Sequence, residues 1–211
     1  MSNVIADISM SLDGFVAGPN PTLDDPLGEG GMQLHEWAFR LAAWRRPHGL
    51  DGGVNDIDSP LVEQALAATG AIVMGRRMFS GGAGPWEEDP NADAWWGDNP
   101  PFHHSVFVLT HHEREPLELK GGTTFTFVTD GIESALDQAR ATAGDGDIRL
   151  AGGGDVVQQY LSAGLIDRLQ LHLVPVLLGD GVRLFGGVQG KLRLARVVES
   201  PTGVVHLDYR R

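Results

Sequence analysis

Three junctions in this chain bring together residue types suited to binding a phosphorylated ligand. Ile148 to Leu161 reads IRLAGGGDVVQQYL: an apolar strand passes through Gly152, Gly153 and Gly154 straight into a helix. Bare N–H groups at a helix start favour an anion, and glycine lets a phosphate approach the backbone closely. The usual dinucleotide fingerprint needs a further glycine after Gly154, which is missing. The run reads either as a pyrophosphate cradle or as a plain tight turn. Ala71 to Phe79, AIVMGRRMF, turns at Gly75 into a short helix carrying Arg76 and Arg77. Two guanidinium groups there suit a phosphate; the alternative is solvated surface arginine. Val106 to Arg114, VFVLTHHER, ends a strand at Thr110, His111 and His112. Those groups would meet a ribose, a 2′-phosphate or an adenine edge, or would only terminate the strand. Asp13, leaving the first strand, is a candidate to orient substrate or move a proton, against simple Asp-Gly turn chemistry.

Other patterns carry less. His35-Glu36-Trp37-Ala38-Phe39 starts like a helical zinc-protease motif but lacks the second histidine. His103-His104 and His111-His112 flank one strand, whose ends are about 20 Å apart, too far to share a metal. Asp145-Gly146-Asp147 is too short for a calcium loop. No metal site is expected. Ser80 to His104 has no apolar periodicity but holds Trp86, Trp95, Trp96 and Phe102. A loop of this length reads as a lid over a planar substrate, as core anchors, or as an interface patch.

The elements that would position these groups alternate along the chain. Strands are expected at Val4–Met10, Phe15–Ala17, Ala71–Met74, Ser105–Leu109, Phe125–Val128, Ile148–Ala151 and Leu169–Leu177, the last with Pro175 inside it and so at an edge or bulged. Helices are expected over Met32–Trp44, from a Ser59 N-cap to a left-handed Gly70 cap, from a capping box of Asp130 and Glu133 to Thr142, and over Asp155–Ala163. Leu192–Glu199 and Val204–Tyr209 close the chain as a hairpin. This order predicts an α/β fold: a mostly parallel central sheet, helices on both faces, and a C-terminal antiparallel hairpin.

Composition narrows the function. The chain has 211 residues and no evident linker, which predicts one domain over 1–211. Sixteen Lys and Arg against 28 Asp and Glu give a net charge of −12, which argues against nucleic acid or an anionic membrane as partner. There is no cysteine, so disulfides, thiolate catalysis and cysteine metal sites are out; this fits a cytoplasmic protein. No signal peptide and no membrane span is expected.

Taken together, ISMSLDGFVAG, AIVMGRRMF, VFVLTHHER and AGGGDVVQQYLSAGLIDRLQLHLVPVLLGDG resemble the dihydrofolate reductase-like fold. They resemble most the reductase domain of the riboflavin-biosynthesis deaminase-reductases, in stand-alone form. The resemblance implies NADPH as cofactor and hydride transfer to a C=N or C=O bond of a small planar heterocycle, pterin- or pyrimidine-like. By that likeness Gly152, Gly153, Gly154, Asp155 and Val156 would hold the pyrophosphate, and Gly75, Arg76 and Arg77 would sit near phosphates. Thr110 and His111 would meet the adenosine end, and Ser9, Val16 and Ala17 would line the nicotinamide. Glu36 is the nearest counterpart of the acid that engages a pterin. A homodimer is implied. The alternatives are a flavin- or deazaflavin-using oxidoreductase and a nucleotide-binding protein without turnover.

Overall fold

A computed structural model describes residues 2–93 and 95–211. In chain order, β1 (Val4–Ser11) and β2 (Phe15–Ala17) precede three short helical pieces: a 3-10 turn at Gly31–Leu34, α1 (Glu36–Phe39) and α2 (Ala42–Arg45). Then come α3 (Ser59–Ala68), β3 (Thr69–Gly75), α4 (Arg76–Ser80), β4 (Ser105–Leu109), β5 (Leu117–Glu118), β6 (Thr124–Val128), α5 (Ile132–Thr142), β7 (Asp147–Gly152) and α6 (Gly154–Ser162). The chain closes with β8 (Arg168–Val174), β9 (Val182–Arg183), β10 (Arg193–Glu199) and β11 (Val205–Arg210). The main sheet of the described residues has the order β10-β11-β8-β1-β7-β3-β4-β6-β5. From β8 to β6 all pairings are parallel, and the β10–β11 hairpin adds antiparallel strands at one edge. The expected α/β architecture is present.

Strand alternation sorts the core. Val4, Ala6 and Met10 of β1, with Ala71 and Val73 of β3, pack under Ala135, Leu136 and Ala139 of α5 and Val156, Val157 and Tyr160 of α6. The opposite face carries two clusters. One joins Leu34, Trp37, Ala38 and Leu41 to Val174 and Val204. The other joins Ile72, Met74, Phe79, Val106, Val108 and Phe125, with Trp86, Trp96 and Phe102 packed against it. Those loop aromatics are core anchors.

Several local expectations are corrected. The helix expected over Met32–Trp44 is broken, because Leu41 is extended (φ −79°, ψ 136°) and bridges to Val54. Ser59 is the first helical residue rather than the cap; Asp58 precedes it and spends its carboxylate elsewhere. Gly70 lies inside β3, and its reason is space: a Cβ there would stand 2.3 Å from the Ala143 carbonyl oxygen. Gly131, at φ 90°, caps α5 without any side-chain bond from Asp130. Strand β8 stops at Val174, just before Pro175, and lies between β1 and β11, so the proline marks its end and not an edge or bulge.

Candidate functional site

The carboxyl ends of the parallel strands collect the three junctions. At the end of β7, Gly152 takes φ +123°, a conformation only glycine adopts freely. Gly153 is exposed, and a Cβ on it would meet nothing within 4 Å. Gly154 is the reverse: a Cβ would lie 2.6 Å from Val16 Cγ2 and 2.8 Å from Val182 Cγ1. The first bonds of α6 run from the Val156 and Val157 N–H groups to the Gly153 carbonyl, so those of Gly154 and Asp155 stand ahead of the helical ladder. Asp155 is exposed in the first turn. The result is an open strip of backbone at Gly153, walled by Val16 and Val182.

The β3–α4 turn abuts this strip. A Cβ on Gly75 would lie 3.0 Å from Val156 Cγ2 and 3.7 Å from the Gly153 nitrogen. The two arginines there diverge. Arg76 is buried, ion-paired to Asp89 at 2.6 Å, with its guanidinium 3.6 Å from the Trp86 ring centre. Arg77 is exposed with no acidic partner among the described residues. One strand further, Thr110 is buried: its N–H donates to the Val128 carbonyl, and its Oγ1 accepts from the His112 N–H at 3.1 Å. His111 is exposed beside it.

Three sequence candidates are placed differently from the rest. Ser9 faces the α1 layer, where its Oγ accepts from Trp37 Nε1–H at 3.0 Å. Asp13 is a clamp: it accepts from Ser11 Oγ at 2.5 Å, Leu178 N–H at 3.2 Å and Gly179 N–H at 2.7 Å, tying the first turn to the loop after β8. The Ser11 bond, helped by those amides against partial burial, holds its carboxyl below the usual range. A carboxylate so held is a poor proton donor near neutrality. Glu36 opens α1 on an exposed surface with no hydrogen bond among the described residues. Val16 walls the strip directly, and Ala17 follows it on β2.

Sequence reasoning missed a buried polar chain behind Ser9. His172 Nε2–H donates to Asp7 Oδ1 at 2.7 Å, and His172 Nδ1 lies 2.7 Å from His206 Nδ1. His206 Nε2 stands 3.2 Å from Asp58 Oδ1, and Ser200 Oγ donates to Asp58 Oδ2 at 2.7 Å. The Trp37 ring packs on both imidazoles, with centroids at 4.5 and 4.8 Å. The Nδ1–Nδ1 contact needs one proton between two rings. Burial, then the charge of His172, pushes His206 down to about 4, and the same two causes push His35 down to about 4. Burial opposes ionisation of Asp7, but Arg149 and His172 outweigh it and hold the carboxyl far below its usual range. A sequence signal existed: Asp7, Ser9 and Ser11 alternate with apolar residues in β1, as do His172 in β8 and His206 and Asp208 in β11.

The model of the RibD C-terminal domain matches residues 2–206. The protein YyaP of Bacillus subtilis (strain 168), described as uncharacterized, is 26% identical over 212 residues, covering 98% of this chain and 93% of that protein. Among solved structures, a Shewanella sp. PV-4 protein assigned to riboflavin biosynthesis aligns over 100% of this chain and 99% of its own, with TM-score 0.62 and 23% identity. A pyrimidine reductase-like protein from Corynebacterium diphtheriae aligns over 99% and 91%, with TM-score 0.54 and 16% identity. A Thermotoga maritima diaminohydroxyphosphoribosylaminopyrimidine deaminase/5-amino-6-(5-phosphoribosylamino)uracil reductase aligns over 99% of this chain and 56% of its own, with TM-score 0.54 and 15% identity. At these identities the solved structures speak to the fold. No described helix is long and apolar enough to cross a membrane.

Proposed function

The chain belongs to the RibD C-terminal domain family, and on that premise we propose that it is an oxidoreductase: it moves a hydride from a reduced nicotinamide dinucleotide to a small planar heterocycle of pyrimidine type. The observation that carries this reading is the open glycine strip at Gly153, set at the carboxyl edge of a parallel sheet where such ligands bind. The family resemblance implies NADPH, and the residues that would hold a dinucleotide are grouped accordingly. Gly152, Gly153 and Gly154, with the N–H groups of Gly154 and Asp155, would take the pyrophosphate, and Val156 and Gly75 floor the strip. Val16 and Ala17 would lie along the nicotinamide, and Thr110, His111 and Arg77 line the adenosine side. The cofactor supplies the hydride; the protein supplies placement and exclusion of water. Asp13 serves by fixing the wall of the site through Leu178 and Gly179. The reading treats residues 1–211 as one domain acting on a small-molecule substrate, as a homodimer in the cytoplasm.

The test is substrate-dependent oxidation of the dinucleotide across a panel of pyrimidine and pterin heterocycles, with binding followed in parallel by tryptophan fluorescence. Saturable binding with turnover on at least one heterocycle is expected. Binding without turnover on any member would favour a nucleotide-binding role. Saturable binding of neither NADPH nor NADH would sink the reading and turn attention to flavins and deazaflavins.

A further inference from the structure

The amino ends of the parallel strands hold a small cavity that the glycine strip at their carboxyl ends does not use. It has a volume of about 120 Å³ and lies between the starts of β1, β7 and β8 and the last turn of α3. Liquid water takes about 30 Å³ per molecule, so the space suits a ligand of about four to six heavy atoms. Arg149 on its wall stands about 13 Å before Gly153 along β7.

Ile5 of β1, with Ala65 and Ala68 of α3, gives the cavity an apolar side. Ile5 is in register with Arg149 of β7 on one flank and with Arg168 of β8 on the other, and both arginines line the cavity. Their backbones are therefore two strand spacings apart, about 10 Å, with Ile5 between them. A guanidinium carries five N–H donors. Arg168 spends Nε and Nη2 on Asp208, each at 2.7 Å. Arg149 stands 3.1 Å from Asp7 Oδ2, and its buried Nε has no hydrogen-bond partner among the described residues. Both arginines thus keep donors unspent.

Asp147 also lines the cavity, one pleat before Arg149 on the same side of β7. Its Oδ1 accepts from the Asn3 N–H at 3.0 Å and from Asn3 Nδ2 at 2.9 Å, and its Oδ2 has no hydrogen-bond partner among the described residues. Asp7 and Asp208 already balance the two arginines, and a plain anion would face Asp147 as well. A zwitterion adds no net charge: its carboxylate takes donors from the arginines and its ammonium takes the aspartate oxygen.

We propose that this cavity is a second ligand site, for a small aliphatic α-amino acid. Arg149 and Arg168 hold the carboxylate, Asp147 holds the ammonium, and Ile5 and Ala68 meet the side chain. The proposal does not rest on the nicotinamide reading.

Calorimetric titrations with L-alanine, propionate and ethylammonium test it on wild type, Ala68→Leu and Asp147→Asn. In wild type, L-alanine is expected to saturate one site, and propionate and ethylammonium to bind at least about tenfold more weakly. Ala68 is exposed at the last position of α3, so leucine there narrows the cavity in a folded chain, which a circular dichroism melt checks. Ala68→Leu is expected to weaken L-alanine at least about tenfold. Asp147→Asn is expected to weaken L-alanine by a similar factor while leaving propionate unchanged or tighter. No saturation by L-alanine in wild type overturns the proposal. Propionate binding as tightly as L-alanine overturns the zwitterion assignment, and L-alanine binding that neither variant weakens overturns the placement.

Discussion

Adding one methyl group at each of two adjacent glycines separates a ligand-facing position from a packing position. At Gly154 the new Cβ would lie 2.6 Å from Val16 Cγ2 and 2.8 Å from Val182 Cγ1. Carbon atoms rest at about 3.5–4.0 Å, so each contact is about 1 Å too close. Overpacking of this kind costs about 1–3 kcal/mol, because β2 or the Val182 segment must move. For a chain of this size, that lowers the melting temperature by about 2–12 °C. At Gly153 the added Cβ meets nothing within 4 Å, and the backbone sits at φ −72°, which any residue adopts. Gly153→Ala is therefore expected to melt within about 2 °C of wild type, a stability change under ~0.5 kcal/mol. Yet its methyl group occupies the space a pyrophosphate would use, and dinucleotide affinity is expected to fall at least about tenfold, or ~1.4 kcal/mol. Differential scanning fluorimetry and a fluorescence titration on the same two variants give both numbers. Gly153→Ala binding as wild type while Gly154→Ala is destabilised as expected would refute the pyrophosphate assignment and leave the packing argument intact.

Three further outcomes follow from the geometry. His206 and His35 sit near 4 in the folded chain against an ordinary 6.5, so the unfolded chain takes up their protons first as pH falls; stability is expected to hold above about 6.5 and to drop between 6.5 and 4, read as a melting temperature falling by several degrees across that window. His172→Leu removes one bond to Asp7, whose carboxylate keeps Arg149 at 3.1 Å, and leaves buried His206 Nδ1 without a partner, so a loss of about 1–3 kcal/mol in urea unfolding is expected; a loss under about 0.5 kcal/mol would mean that the histidine pair is not bonded as described. Asp13→Asn removes an acceptor from Ser11, Leu178 and Gly179, and faster amide hydrogen exchange is expected at residues 178 and 179 with the sheet core unchanged.

Much of the architecture was readable because its signals are local. The strand of Ile148–Ala151 and the glycines after it announce a strand-to-helix turn in any context, and Gly164 ends α6 in the left-handed conformation that its position suggests. The errors arose where a distant partner decided. Ser59 reads as an N-cap, yet it is the first residue of α3, and the carboxylate of Asp58 at the cap position is claimed by His206 and Ser200, about 140 residues away in sequence. Gly70 looks like a helix cap, but the Ala143 carbonyl forces its identity. Arg76 in its nine-residue context reads as a phosphate ligand or a solvated surface arginine, and only the loop folding back brings Asp89 and Trp86 onto it. The histidine chain stayed hidden for the same reason: each strand contributes one polar residue to it, unremarkable until four elements are brought side by side.

Strand β1, the first to be made, sits between β7 and β8 in the middle of the sheet. Its parallel partners begin at Asp147 and end at Val174. At a synthesis rate of 5–20 residues per second, the interval between finishing β1 and finishing β8 is about 8–30 s. Until β7 is complete, late in that interval, a strand carrying Val4, Ile5, Ile8 and Met10 has no native sheet neighbour, while the β3–β4–β6 half of the sheet emerges and could pair with it wrongly. Asp7, Ser9 and Ser11 interrupt the apolar run of that strand, the pattern that opposes aggregation of an exposed strand, before His172 is translated. Replacing Asp7 with a well-packed apolar residue would for this reason be expected to lower soluble yield during expression more than it lowers the stability of protein already folded.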